Sequence, residues 1–191
     1  MRRLCLALVH YPVVDRDGCV ITTAITNLDL HDIGRSARTF GVSDVFIVHP
    51  IMAQRQLANA VKDHWVHGSG KRRIPDRVPP MELLRVVSSL SEAQDAVGGR
   101  KQIEVWVTSA RPVPMGQSEP LSYEHARQRL LRDGSTVMIL FGTGWGLAQE
   151  LIDDADARLV PVSANHDTGF NHLSVRAACA ITLDRLVGAR E

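Results

Sequence analysis

The feature that most limits what this chain can fold into is an alternation of short apolar runs with longer amphipathic stretches, sustained along its whole length. Residues 4–9, 45–48, 103–107, 137–141 and 159–162 are rich in Val, Ile and Leu and bounded by Pro, Gly or Asp. Runs of that length and makeup suit strands buried on both faces. Between them, helical periodicity predicts helices over residues 26–39, 51–65, 80–96, 122–132 and 172–186. The last carries Leu173, Ala177, Ala180, Ile181, Leu183 and Leu186, a wide apolar face that needs a sheet or a partner to cover it. Strands alternating with helices imply βαβ units, so the expected fold class is α/β, a mostly parallel sheet flanked by helices. With 191 residues, no internal repeat and no low-complexity segment, one domain over 1–191 is expected.

Composition excludes several classes. The net charge of +1 advertises no nucleic-acid partner, so any basic surface has to be local. Cys5, Cys19 and Cys179 are far apart, odd in number and without a CxxC pair, which argues against a disulfide framework and a zinc site. The apolar run after Arg2-Arg3 ends at Tyr11-Pro12, too short for a signal peptide, and nothing approaches the ~20 apolar residues of a membrane span. A cytoplasmic protein with no membrane association is the expectation. Two stretches read as long loops, 68–79 with Lys71, Arg72, Arg73 and Arg77, and 111–120 with three prolines.

Three segments carry chemistry. Leu140-Phe141-Gly142-Thr143-Gly144-Trp145-Gly146-Leu147 places three glycines at every second position after an apolar strand. Such bare backbone serves a tight turn equally well as a ligand that approaches main-chain N–H and C=O groups. Its GxGxG spacing, late in the chain, is not the dinucleotide fingerprint, and no GK[ST] phosphate loop exists. Asn171-His172-Leu173-Ser174-Val175-Arg176 opens a helix whose free N–H groups suit an anion, although Asn171 or His172 as N-cap, with Ser174 and Arg176 solvated, accounts for the residues too. Asn27-Leu28-Asp29-Leu30-His31-Asp32-Ile33-Gly34-Arg35 gives a helix an unusually polar face, with Asp32 and Arg35 three apart and His31 and Arg35 four apart. His31-Asp32 with His166-Asp167 would suit a metal-dependent nucleotide hydrolase, and His64-x-x-His67 a zinc ion, but neither pair has the further ligands a metal needs, and no metal is expected.

Taken together with His10-Tyr11-Pro12-Val13, these motifs resemble the SPOUT superfamily of RNA methyltransferases, and within it a bacterial subfamily sometimes fused to a tRNA guanine-N1 methyltransferase. The resemblance covers most of the chain. It implies a C-terminal deep trefoil knot, S-adenosylmethionine as methyl donor (S-adenosylhomocysteine as product), a tRNA substrate and a homodimer. It also implies cofactor contacts at Leu140, Phe141, Gly142, Thr143, Gly144, Trp145 and Gly146, at Val160, Pro161 and Val162, and at His172, Leu173, Ser174 and Val175. The first motif is similar to that of the ribose 2′-O-methylating branch, Asn-x-Gly-Ala-x-x-Arg with a later Gly; aligning Gly41 with that Gly puts the catalytic arginine on Arg35. The branch's asparagine then falls on Asp29 and its glycine on His31, while Thr143 stands where the branch has Glu and Ser174 where it has Asn.

A ribose hydroxyl is a weak acid, so transfer to it needs a base or a positive charge on the developing alkoxide. Arg35 is expected to supply that charge, oriented by Asp29, Asp32 or His172. Local cations at Arg35, Arg38, Lys71, Arg72, Arg73 and Arg77, with Arg111, are the expected RNA contacts. The apolar side of the last helix, Leu173, Ala177 and Ile181, is the expected dimer face. The alternative is a catalytically inactive knotted protein that binds RNA or S-adenosylmethionine; it would keep the glycine loop without needing Arg35.

Overall fold

The computed structural model describes residues 1–111, 119–166 and 168–190. Its elements run β1 (Leu4–Val9), β2 (Val13–Val14), β3 (Val20–Ile21), α1 (Asn27–Thr39), β4 (Asp44–Val48), α2 (Met52–Val66), α3 (Ser69–Arg73), α4 (Val78–Glu82), β5 (Leu84–Val87), α5 (Leu90–Asp95), β6 (Ile103–Val107), α6 (Tyr123–Leu131), β7 (Thr136–Gly142), α7 (Gln149–Asp153), β8 (Ala157–Arg158) and α8 (Val175–Val187). Six of the strands form one sheet in the order β5-β4-β1-β7-β6-β8. Every pairing in it is parallel.

All six residues of β1 are buried, as a central parallel strand covered on both faces requires. Its period-2 alternation feeds two cores. Leu4, Leu6 and Leu8 pack with Leu30, Ile33, Leu130, Leu183 and Leu186 from α1, α6 and α8. Cys5, Ala7 and Val9 pack with Phe46, Val105, Met138 and Leu140, and with Ala93 of α5. Burial pushes the Cys5 and Cys179 thiols up to about 12, so both are inert core residues.

The sheet order reverses at β1: β4 and β5 lie to one side, β7, β6 and β8 to the other. The carboxyl ends of β1 and β7 are adjacent, Val9 opposite Gly142. In an open α/β sheet that switch point is where a crevice opens.

The structure corrects four expectations. Residues 68–79 are not a loop: Ser69–Arg73 form α3, Pro75–Arg77 a 3-10 turn, and α4 starts at Val78. Residues 80–96 are not one helix: α4 stops at Glu82, and Leu84–Val87 pair with residues 45–48 as an edge strand before Ser89 caps α5. The adjacent β-branched Val86 and Val87 and the Ser88-Ser89 break favour that division. Residues 159–162 are not a strand; β8 is Ala157–Arg158, Leu159 makes a lone bridge to Leu121, and Pro161 has no N–H to extend a ladder. The last helix begins at Val175 and is capped by Ser174, whose Oγ accepts the Ala177 N–H at 3.3 Å, so neither Asn171 nor His172 is the cap. The β2–β3 hairpin was not foreseen; two-residue strands give no periodicity to read.

Truncating a central contact tests this layering. Leu6→Ala should cost about 2–5 kcal/mol in denaturant unfolding, with native helix and sheet content unchanged by circular dichroism.

Candidate active site

At the switch point the chain encloses a cavity of about 360 Å³. Five separate segments wall it: Thr23, Ala24, Thr26 and Asp29 at the start of α1; Thr108, Ser109 and Ala110 after β6; Phe141 to Gly146 after β7; Val160 and Val162 after β8; and Asn171 to Val175 with Ala178 and Thr182 at the start of α8. Tyr123 of α6 completes it.

The glycine loop is clamped rather than free. Val14 and Trp145 join it to the β2 strand, the Trp145 N–H donating to Val14 O at 2.9 Å and the Val14 N–H to Gly146 O at 2.9 Å. A Cβ on Gly142 would stand 2.5 Å from Leu147 N. Gly144 has φ +60° and a Cβ there would meet Val14 O at 3.0 Å. Both positions need glycine for close backbone approach.

Beneath the loop lies a polar chain whose direction follows from proton counting. The Thr143 hydroxyl donates to Val9 O at 3.1 Å, so it accepts from the Thr23 hydroxyl; Thr23, its proton used, accepts from His10 Nδ1–H at 3.0 Å. His10 is therefore the Nδ1–H tautomer. Its Nε2 is buried without a hydrogen-bond partner among the described residues. His49 lies beside it, ring centroids 5.4 Å apart, with Nε2 donating to Thr23 O at 2.9 Å and Nδ1 accepting the Ile51 N–H at 3.1 Å. Burial, and then the neighbouring His49, push the His10 imidazole down to about 4. Burial lowers His49 as well.

At the other wall, Asp29 is buried and doubly held. Its Oδ2 accepts the Thr26 hydroxyl at 2.6 Å and its Oδ1 accepts Arg176 Nη1–H at 3.0 Å. Arg176 also reaches Asp32 at 3.4 Å. Arg176 and Ser174 are thus engaged rather than solvated.

Of the residues expected at the cofactor, Phe141 to Gly146, Val160, Val162 and His172 to Val175 line the cavity, while Leu140 is buried in β7 beneath it and Pro161 is not in the lining. Of those expected in catalysis, Asp29 and His172 line it; His172 lies 4.9 Å, centroid to centroid, from the exposed Trp145 ring. Asp32 and Arg35 lie on α1 outside the lining. Arg35, Arg38, Lys71, Arg72, Arg73 and Arg111 are exposed. Arg77 instead turns inward, donating to His31 Nδ1 at 3.1 Å over the Trp65 ring, and burial, then Arg77, lower the His31 pKa. Of the 111–120 loop, residues 112–118 lie outside the described residues, as does Asp167. No group of three or more metal-ligating side chains occurs among the described residues, and none of their helices is long and apolar enough to cross a membrane.

Sequence reasoning missed Thr23, Ala24, Thr26, Thr108, Ser109, Ala110, Tyr123, Ala178 and Thr182. The first small polar residues after the 103–107 run were the available signal, because ligands gather at strand carboxyl ends.

A parallel sheet with a glycine loop and a helix opening meeting at its switch point is where open α/β folds place a ligand, and comparison with known proteins specifies the class. A family model described as SAM-dependent RNA methyltransferase matches residues 3–188, and the chain belongs to that family. Relatives named tRNA (guanine-N(1)-)-methyltransferase are 41% identical over 189 residues in Oleidesulfovibrio alaskensis and 38% identical over 187 residues in Nitratidesulfovibrio vulgaris. Each alignment covers 98% of this chain and 42% of the relative, so the chain spans less than half the length of these curated relatives. Among solved structures, TrmJ from Z. mobilis superposes with a TM-score of 0.57 at 19% identity, covering 100% of this chain and 71% of that one. The A. aeolicus TrmH/SpoU tRNA modifying enzyme does so with a TM-score of 0.53 at 14% identity, covering 97% and 74%. The fold is that of the SPOUT methylases.

The buried His10 makes stability depend on acid. Above pH 6.5 its imidazole is neutral in both states; as pH falls from 6.5 to about 4 the unfolded chain takes a proton that the folded one refuses, and stability is lost. A drop from 6.5 to about 4 corresponds to roughly 3 kcal/mol. His10→Asn keeps a donor near the Nδ1 position but cannot titrate. Urea unfolding at pH 7 and pH 4 should therefore show the variant losing less stability than wild type, by about that amount, with the His49 and His31 contributions common to both.

Proposed function

We propose that this chain transfers a methyl group from S-adenosylmethionine to RNA, that the RNA is tRNA and that the acceptor is a ribose 2′-hydroxyl. The observation that carries the reading is the convergence of the bare Gly142–Gly146 backbone and the α8 opening on one cavity. The lining fits the donor chemically: Tyr123, Phe141, Val162 and Ala178 offer an apolar wall for a purine, and exposed main chain offers donors and acceptors. When bound, the donor supplies a methyl carbon made electrophilic by a sulfonium. The chain's part is to hold the acceptor in line, exclude water and manage its proton.

The tRNA assignment is supported by the names of the relatives, and the ribose assignment by the Arg35 motif. Arg35 stands six residues, about 9 Å of helix axis, beyond Asp29. In this reading it meets the phosphate or ribose of RNA laid over α1 and stabilises the developing alkoxide, alongside the exposed cations Arg38, Lys71, Arg72 and Arg73. Arg77, committed to His31, shapes that surface. Asp32 joins through Arg176, and His172 through Trp145, at the rim. The homodimer belongs to the same reading, with Leu173 exposed and Ala177 and Ile181 half-buried on α8. So do the knot, for which a late β7 lying between β1 and β6 is the expected setting, the single domain over 1–191, and a cytoplasmic site of action.

Calorimetry should show S-adenosylmethionine binding that Gly142→Val removes, the added side chain colliding with residues 146–147. Labelled methyl should pass to bulk tRNA and be recovered, by nucleoside mass spectrometry, as 2′-O-methylated ribose. Arg35→Ala should lower transfer by about 100-fold while cofactor affinity holds. Binding with no transfer to any RNA would instead identify a non-catalytic binder.

A further inference from the structure

Asp29 supplies the only carboxylate among the described residues that wall the cavity. It is 6% exposed, yet its two oxygens are oriented from opposite directions, by Thr26 at 2.6 Å and by Arg176 at 3.0 Å. Thr26 is the N-cap of α1, and its Oγ1 also accepts the Asp29 N–H at 3.2 Å. Capping accounts for that half. It does not account for Arg176, a cation brought from the first turn of α8, 147 positions along the chain, to a carboxylate in the cavity wall. Each carboxylate oxygen has two acceptor positions, so both retain one after these bonds.

We infer that Asp29 accepts the proton of the RNA group that is methylated, and that Arg176 is the positioning residue that keeps this carboxylate aimed. The inference rests on the function proposed above and assigns the base that it leaves open. Arginine is a poor base at its usual pKa, which leaves Arg35 the electrostatic part of the step and not the proton. His172 and Tyr123 are the other titratable side chains in the wall; the His172 ring lies tilted against Trp145, and the Tyr123 hydroxyl faces Thr182 at 3.4 Å. In the step, the acceptor oxygen bonds to the methyl carbon, the carbon–sulfur bond breaks with its electron pair going to sulfur as a neutral thioether, and the acceptor's proton goes to a free position on the Asp29 carboxylate. The ionisable groups around that carboxylate are Arg176 from α8, Asp32 on its own helix and the neutral His10 just after β1.

Asp29→Asn keeps shape and polarity and removes basicity. Its kcat for labelled methyl transfer to bulk tRNA should fall at least about 100-fold. Its calorimetric Kd for S-adenosylmethionine should stay within about threefold, since proton removal matters only in the transition state. Arg176→Ala tests the same claim independently. With the carboxylate no longer held, kcat should fall at least about 10-fold while the Kd for S-adenosylmethionine stays within about threefold, and Arg176→Lys should recover part of the loss. Asp29→Asn with kcat within about twofold of wild type would overturn the assignment. So would selective loss of affinity for S-adenosylmethionine over its demethylated product, which would make Asp29 a reader of sulfonium charge, and so would an unchanged kcat in Arg176→Ala. A wild-type protein that binds no S-adenosylmethionine would sink the proposed function itself, and the first titration would reveal it before any variant is made.

Discussion

The pairing of β1 with β7 is the constraint on which the rest of the structure depends. It joins Leu4–Val9 to Val137–Gly142 in parallel register and so brings together two chain ends more than 130 residues apart in sequence. One carbonyl carries the junction: Val9 O accepts both the Thr143 N–H at 3.2 Å and the Thr143 hydroxyl at 3.1 Å. With that anchor set, the glycine loop leaves the sheet at a defined angle, and the β2–β3 hairpin can close over it through Val14. Because β4 departs on one side and β7 and β6 lie on the other, the cavity opens at that point.

The polar groups under and beside the cavity follow from the same placement. Buried hydroxyls and imidazoles destabilise a fold unless they pair with one another, and Thr23, Thr143 and His10 do so in a single directed chain. One position, His10 Nε2, is left over. Opposite it, Asp29 depends on Arg176, since a buried carboxylate stripped of its cation is costly. The site is therefore held by two networks that share no residue, one fixing the loop after β7 and one tying α1 to α8.

Much of this was legible in the sequence because it depends on local pattern. The runs 4–9 and 103–107 coincide with β1 and β6, and the capping residues Thr26 and Ser122 mark α1 and α6. The glycine spacing and the polar helix opening led to the cavity walls. What stayed hidden was set by tertiary contact. Leu84–Val87 is a strand because β4 offers an open edge, which no local period reveals. In the 159–162 run Leu159 joins the core while Val160 and Val162 wall the cavity, so its apolar character does not signal a ladder. Ser174 caps α8 although Asn171 is an equally good capping type, because the chain turns into helix three residues later. Arg176 looks like any solvated arginine until its partner 147 positions earlier is known.

The cavity draws its walls from segments within 23–29, 108–110, 141–146 and 171–182, with Tyr123, Val160 and Val162. Nothing resembling it exists in any fragment that stops short of α8. On a ribosome the chain can lay down β1, α1 and β4 early, but β1 keeps one edge bare until β7 arrives, and such waiting edges invite wrong partners. Pairings this distant in sequence form slowly. Any small molecule that lodges in the finished cavity would bridge the earliest and the latest segments at once, and so would act as a clasp that favours completion of the fold.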